Sequence, residues 1–530
     1  MLRLRIAALV ASTAIGLCSS CRPTYEAAGG KPSPAAGSSS RARSGGGGQG
    51  SGARPVRPLQ DAGEPSDVAD ASPSDAATSV RTAANGGSAG RVATDAGVAT
   101  GDLTTPGSSA GASGQAAVGG QGGAAVGSSG VDSSASAELF DEGTVVRFDI
   151  TLPESSVAAL GSASDVYTHG GLSYRDTTLG DVGVRIKGES SRRTLMQKAA
   201  FKLKLDEYVA GQTLLGMKRI TLNNMLSDDT YMAECLAYHV WRAASLPAPR
   251  CNHAVVYVNG VYYGLYAHVE SEDKAFLRRW FPSDDGNLYE DGMADFVDGA
   301  ASSFDLETNE TENNRADLIA LISAVSSAGG ASYLQDLDPV LDTSHFLRYS
   351  AMEAAVNQWD GYSYTYFEPN NFRFYHDPTT GKFTFIPWGH DLSMKAFQYV
   401  EDDRPARQYI PVFMRPLYEN RSGARDSGGR IFVGDRVGSR AQGGCLDSAP
   451  CRSEYAAAVR EVIAVYESVD LPALAEATYA LIRPHVYEES SARREISTEQ
   501  FEGAYETLLQ FIAGRTQAMR DDLAAAGFAP

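Results

Sequence analysis

The stretch Ala254-Val-Val-Tyr-Val258, then Asn259-Gly260, then Val261-Tyr-Tyr-Gly-Leu-Tyr-Ala-His-Val269 decides how the chain is read. Both arms are rich in β-branched and aromatic residues, which suit a pleated, half-buried surface. Asn-Gly between such arms favours a tight type I′ turn, whose two central residues both need positive φ. The spacing therefore predicts an antiparallel hairpin, and the rest of the chain is read outward from it.

Upstream, Val182, Val184 and Ile186 alternate with polar neighbours, as do Phe201, Leu203 and Leu205. That period of two marks strands with one buried face. Before the hairpin, Ser227-Asp228-Asp229-Thr230 has cap composition, and Met232, Cys235, Leu236 and Val240 predict an amphipathic helix ending near Ala244. Downstream the patterns turn helical. Ser344 is placed to cap a helix through Val356, and further helices are expected over 454–469 and 471–482. Ser497 with Gln500 has capping-box spacing for a last helix running past Leu523. Amid these lies an aromatic strand pair, 362–375 and 383–388, turned at Pro378 and Gly381. Strands first and helices after give an α+β class, with a ligand expected at the seam.

The amino-terminal flank reads differently. Arg3 and Arg5 precede an apolar run over 6–17 and then small residues, the pattern of a secretory signal. The run is shorter than the roughly 20 residues of a spanning helix. Leu17-Cys18-Ser19-Ser20-Cys21 resembles a bacterial lipoprotein processing site, with Cys21 as the lipidated residue. Gly, Ala, Ser, Pro and Asp dominate from there to about Ala137, and such a segment buries too little apolar area to offset its conformational entropy. The expected organisation is a signal over 1–21, a flexible tether over 22–137 and one globular unit over 138–530. The protein is thus expected to be exported and membrane-anchored, at the periplasmic side or the cell surface, or else secreted.

Charge and cysteines narrow the class. With 46 basic and 65 acidic side chains, the formal charge is −19, which argues against a general nucleic-acid binder. Beyond Cys18 and Cys21, Cys235, Cys251, Cys445 and Cys451 form an even set that favours disulfides in an oxidising compartment. Three connectivities are open, and pairing of sequence neighbours is the expected one. A zinc site is disfavoured, because no CxxC pair or neighbouring histidines have ligand spacing.

Two features point to chemistry. The first is a basic island, Arg185, Lys187, Arg192, Arg193, Lys198, Lys202, Lys204, Lys218 and Arg219, in a strongly acidic chain. Alternation sets Lys202 and Lys204 on one strand face, where they repel unless an anion lies near. Lys187-Gly188-Glu189-Ser190-Ser191 has the makings of a phosphate-covering turn. Gly183 and Gly188 have P-loop spacing, but Glu189 stands where that motif needs lysine, so a P-loop is rejected. The second feature is Asp360, Asn371 and Asp391, each at the end of an apolar element, a donor set able to hold magnesium and orient a hydroxyl. Ordinary turn-capping is the plain alternative for each of the three.

Taken in order, several motifs are familiar: Arg185-Ile-Lys187-Gly188-Glu-Ser190-Ser191, Phe201-Lys202-Leu-Lys204-Leu-Asp206, and Leu222-Asn223-Asn224 with Asp229. Tyr257-Val-Asn259-Gly260 through Gly264-Leu-Tyr266 to Glu270 follows, and then Phe385-Ile-Pro387-Trp388-Gly389-His-Asp391. The chain resembles the CotH family of spore-coat-type protein kinases over about Val145 to Lys395. The resemblance implies a bilobed, atypical protein-kinase-like fold, with a strand-rich lobe over about 138–270 and a helical lobe over about 271–530. ATP with Mg2+ or Mn2+ would lie between the lobes, and the γ-phosphate would pass to serine or threonine of a surface or coat protein. Lys202 resembles the phosphate-contacting lysine, with Lys204 as rival, and Glu234 its partner. Lys187, Ser190 and Ser191 fall on the nucleotide side and Glu270 near the hinge. Asp360 resembles the catalytic aspartate, Asn371 a metal-side asparagine and Asp391 the main metal ligand. The metal motif runs Gly-x-Asp, the reverse of ordinary kinases.

Other readings stand beside this one. A surface-binding protein of the same fold without catalysis is the main alternative. The acidic stretches 284–298 and 305–312 offer calcium-type oxygens, though without EF-hand spacing, so solvated loops are expected there. The aromatic tract 359–375 offers a glycan-stacking surface. A glycosidase is a weaker option, because two separated carboxylates do not define a sugar site.

Overall fold

The computed structural model describes residues 134–188, 191–292, 294–311, 314–364, 369–396, 408–414 and 439–530. The signal, Cys21, nearly all of the tether and Ser190 lie outside the described residues. In order, the elements are β1 (Val145–Thr151), α1 (Glu154–Ser162), β2 (Thr168–Tyr174), β3 (Thr177–Lys187), β4 (Ala200–Lys204), β5 (Arg219–Asn223), α2 (Ala233–Ala243), β6 (Cys251–Val258) and β7 (Val261–Val269). Then come α3 (Lys274–Trp280), β8 (Asn287–Glu290), β9 (Asp305–Leu306), α4 (Ala316–Ser327), α5 (Tyr333–Leu337), α6 (Thr343–Ala355), β10 (Phe372–Asp377) and β11 (Lys382–Pro387). The chain ends in α7 (Arg440–Asp447), α8 (Ala449–Ser468), α9 (Leu471–Glu488) and α10 (Thr498–Ala525). The class is α+β as expected, with strands in the first half and helices in the second. Among the described residues no helix is long and apolar enough to cross a membrane.

The hairpin forms as its turn chemistry predicts, with Asn259 at φ 50° and Gly260 at φ 77°. Asn259 also accepts from Leu152 N at 2.8 Å and donates to Leu152 O at 3.0 Å, fastening the turn to the end of β1. Seven strands close into a barrel in the order β1-β2-β3-β4-β5-β7-β6, sealed by the parallel pairing of β1 with β6. The alternating apolar residues fill its interior: Val182, Val184, Ile186, Phe201 and Leu203 are essentially inaccessible. Each such side chain contributes about 1.5–3 kcal/mol of burial. The polar residues between them share the outer face, where Arg185 lies opposite Lys202, Lys202 opposite Thr221, and Lys187 opposite Ala200.

Helix α2 starts later than its cap composition suggests. Thr230 Oγ1 accepts from Ala233 N at 3.0 Å, and Asp228 accepts from Thr230 N at 3.0 Å, so the capping residues form a two-tier turn before the helix. A Cys235–Cys251 disulfide ties α2 to the start of β6, and Cys445–Cys451 ties α7 to α8, the expected neighbour pairing.

The four-stranded second sheet has the order β11-β10-β8-β9. Its aromatic strand begins at Phe372, not near 362, because Tyr362 and Ser363 give their amides to Glu353 on α6, while the Tyr362 ring packs on Phe372 and Phe385 of the sheet. Asp342, not Ser344, caps α6, accepting from His345 N at 3.0 Å. Helix α9 runs through Pro484 to Glu488, carrying Val486 into the core. The capping box of α10 forms as predicted, with Gln500 N to Ser497 Oγ at 3.1 Å and Ser497 N to Gln500 Oε1 at 2.7 Å. The acidic stretch 284–298 is spent on structure: Asp284 pairs with Arg278 at 2.6 Å, and Asp295 accepts from Arg440 N at 2.8 Å. Glu312 lies outside the described residues.

Candidate active site

Lys187 ends β3 on the barrel's outer face, and Nζ donates to Asn223 Oδ1 on β5. It reaches past β4 because the residue opposite it there is Ala200, whose side chain leaves room. Asn223 Nδ2 in turn donates to both carboxylate oxygens of Glu234, at 2.9 and 3.1 Å. Glu234 lies in the first turn of α2 and is 1% exposed. A lysine and a glutamate are thus joined through one amide.

The helical half supplies the opposing charges. The turn after β11 carries Asp391, whose carboxyl is raised by burial while Lys395 and Lys187 draw it back. Burial, and next the negative charge of Asp391, raise Glu234. Burial pushes the Lys187 ammonium down, and Glu234 and then Asp391 resist that shift. These three groups feel one another across the seam between barrel and helices. Trp388 flanks them, its ring 5.3 Å from Lys187 Nζ.

Asp360 follows α6 in a loop and belongs to the same neighbourhood. Burial, and then the Asp391 charge, push its carboxyl up to about 7. Asn371 Nδ2 donates to Asp360 Oδ2 at 2.8 Å and to the Asp360 carbonyl at 3.0 Å. Asn371 is itself pressed against Gly389: a Cβ there would sit 2.5 Å from Asn371 Oδ1, and φ is 62°. Only glycine lets the backbone before Asp391 approach that amide so closely. Asp360, Asn371 and Asp391 therefore converge, as three separate element ends would have to do to serve one site.

Not every expected residue joins them. Lys202 lies beside Arg373, Glu307 and Glu290, where burial and then the Arg373 charge lower it to about 8; Glu290 and Arg373 also act on Lys187, but behind Glu234 and Asp391. Lys204 points outward and pairs with Glu207 at 2.6 Å. Glu270 is 1% exposed, and its oxygens take Arg250 Nη2 at 2.8 Å, Arg250 N at 3.0 Å and the Arg279 guanidinium, bracing the end of β7 against α3. The Ser191 carbonyl accepts from Asn224 Nδ2 at 3.0 Å, which fixes the turn after Gly188. Asn223 was legible only as part of a motif; its signal was register, which sets it on the outer face that carries Lys187.

The donor set suits a hard divalent cation. Asp391, Asp360 and Asn371 present oxygen; burial raises both carboxyls and the Asp391 charge raises Asp360 further, so a cation between them would be favoured. Among the described residues no three His, Cys, Asp or Glu side chains gather into a ready-made metal cage. Magnesium commonly takes one or two carboxylates and completes its shell with phosphate oxygens and water.

An α+β chain that brings lysine, glutamate and two aspartates together at the seam of its strand and helix halves is kinase-like. Residues 184–519, more than half of the chain, match the family model described as CotH kinase protein, and the chain belongs to that family. It is 22% identical over 323 residues to the inner spore coat protein H of Bacillus subtilis (strain 168), covering 59% of this chain and 80% of that relative. A crystal structure of CtkA, a proinflammatory kinase of Helicobacter pylori, aligns over 66% of this chain and 92% of its own at 8% identity. The TM-score of that alignment is 0.21.

Proposed function

We propose that this protein transfers the γ-phosphate of ATP to a serine or threonine hydroxyl of a surface or coat protein. One observation carries the reading: Lys187 and Glu234 from the strand-rich half lie in the field of Asp391 from the helical half, and the same Asp391 charge acts on Asp360. The two halves are read as the lobes of a kinase, with the triphosphate at their seam.

In this reading Lys187, rather than Lys202 or Lys204, contacts the phosphates, and Glu234 holds it through Asn223. Asp360 accepts the proton of the acceptor hydroxyl. The hydroxyl oxygen bonds to the γ-phosphorus as the bond from that phosphorus to the β–γ bridging oxygen breaks, and ADP leaves. With its carboxyl near 7, Asp360 is matched to proton transfer at neutral pH. Asp391, with Asn371 beside it, would hold Mg2+ or Mn2+, which supplies neutralisation of the triphosphate charge. In a chain of net charge −19, that ion and Lys187 offset a field that otherwise repels ATP. Export through the 1–21 signal and anchoring by lipidated Cys21 complete the proposal, with the 22–137 segment as leash.

Phosphate transfer from radiolabelled ATP tests it. Asp391→Ala is expected to abolish transfer while circular dichroism and melting stay native-like. Wild-type transfer by that folded variant, or no transfer by the native protein with either metal, rejects the kinase. The mass of the mature amino terminus tests the lipid separately.

A further inference from the structure

Two loops must keep a fixed spacing for this site to exist: the one that delivers Asp360 after α6 and the one that delivers Asp391 after β11. One buried side chain, Gln358, joins them, and a second, Glu353, fixes the first loop to α6. Gln358, 1% exposed, donates from Nε2 to Gly389 O at 2.9 Å and to Trp388 O at 3.3 Å. Its Oε1 accepts from Ser393 Oγ at 3.2 Å, and that hydroxyl also meets His390 Nδ1 at 2.8 Å. One amide thereby grips the backbone before Asp391 and a side chain after it.

Glu353, also 1% exposed, closes on the other side of Asp360. Its Oε1 accepts from Tyr362 N at 2.8 Å and Tyr349 OH at 2.9 Å, and its Oε2 accepts from Ser363 N at 2.6 Å. A Cβ on Gly361 would lie 2.3 Å from that Oε1, so the carboxylate packs directly on the backbone that follows Asp360. The two grips leave Asp360 itself to Asn370 and Asn371.

We infer that Gln358 is the positioning residue that sets Asp360 against Asp391, with Glu353 pinning the far side of the Asp360 loop. The inference rests on the phosphotransfer reading of those two aspartates. Gln358 touches neither reactant. Its work is geometric, and a misplacement of about 1 Å between reacting groups costs on the order of 100-fold in rate.

Gln358→Glu keeps the shape and the acceptor but has no N–H for the Gly389 and Trp388 carbonyls. The expected result is a kcat lower by on the order of 10- to 100-fold, with the KM for ATP changed by less than about 3-fold. Amide hydrogen exchange over 388–394 should quicken in the nucleotide-free variant. Ser393→Ala, a milder change, should show the same split at roughly a tenth of the size; it stands in if Gln358→Glu does not fold. Wild-type kcat, a raised KM with unchanged kcat, or unchanged exchange in the folded variant overturns the inference. If the native protein transfers no phosphate, the kinase reading fails, and the exchange measurement still decides whether Gln358 holds the two loops.

Discussion

Lys187 and Lys202 stand on the same outer face of the barrel, one strand apart, yet they keep different company. Lys187 reaches over Ala200 to Asn223 and lies in the fields of Glu234 and Asp391. Lys202 has Arg185 directly opposite and shares Arg373 with three glutamates. Arg373 pairs with Glu272 at 2.6 Å and Glu290 at 2.9 Å, and Glu307 is 4.0 Å away. Alternation assigns a face, but the size of one cross-strand neighbour decides the partner. Both lysines feel Glu290 and Arg373 from the second half; what sets Lys187 apart is the leading pull of Glu234 and Asp391.

Substitutions at these charges separate the roles of the two lysines. Arg373→Met removes the cation from three acidic neighbours, and a buried pair broken from one side costs about 3–5 kcal/mol. Urea unfolding should show that loss; a change below about 1 kcal/mol would mean that Arg373 does not hold these acids. Next in size, Lys187→Met should lower kcat/KM for ATP by on the order of 100- to 1000-fold, and Lys202→Met by less than about 10-fold. The reverse order in a steady-state assay would return the phosphate-contacting role to Lys202.

A smaller effect has the opposite sign. In the folded protein Asp360 is raised to about 7 from the ordinary 3.8 of an aspartate, so the native state binds the proton more tightly than the unfolded chain. Its contribution to stability therefore falls as pH rises between those two values. Asp360→Asn should be more stable than the native protein by about 1–3 kcal/mol at pH 8 without nucleotide, and no more stable near pH 4. Denaturant titrations at both pH values check this. The transfer rate of the native enzyme should rise with pH and level off above about 7, as the carboxylate becomes free to accept a proton. Least of all, Glu207→Gln breaks only the outward pair with Lys204, and a shift within about 0.5 kcal/mol is expected.

Much of this is legible in the amino-acid sequence, for reasons that differ by residue. The Asn259-Gly260 turn and the Ser497–Gln500 box are local chemistry, complete within a few residues. The strands at Val182–Ile186 and Phe201–Leu205 show their buried face in the sequence. The Asp360, Asn371 and Asp391 convergence was expected from their places at element ends and from family resemblance. Barrel closure was not legible, because β1 meets β6 across about a hundred residues and nothing in either strand names the other. The start of the strand at Phe372 was obscured because Tyr362, aromatic and buried, looks like strand but gives its amide to Glu353 on α6. The partner of Lys187 required the register of three strands at once, and Gln358 is an ordinary amide until its two carbonyl acceptors are in view.

The sealed barrel has one more consequence. A row of unpaired amides at a sheet margin invites strands from other molecules, yet here the seven-strand ring ends on itself. In the second sheet, β9 is two residues long, and the chain near Leu341 bridges to Phe383 along the outer side of β11. Among the described strands little backbone is offered for cross-molecular zippering. Copies crowded shoulder to shoulder would then stay separate bodies rather than fuse into fibres.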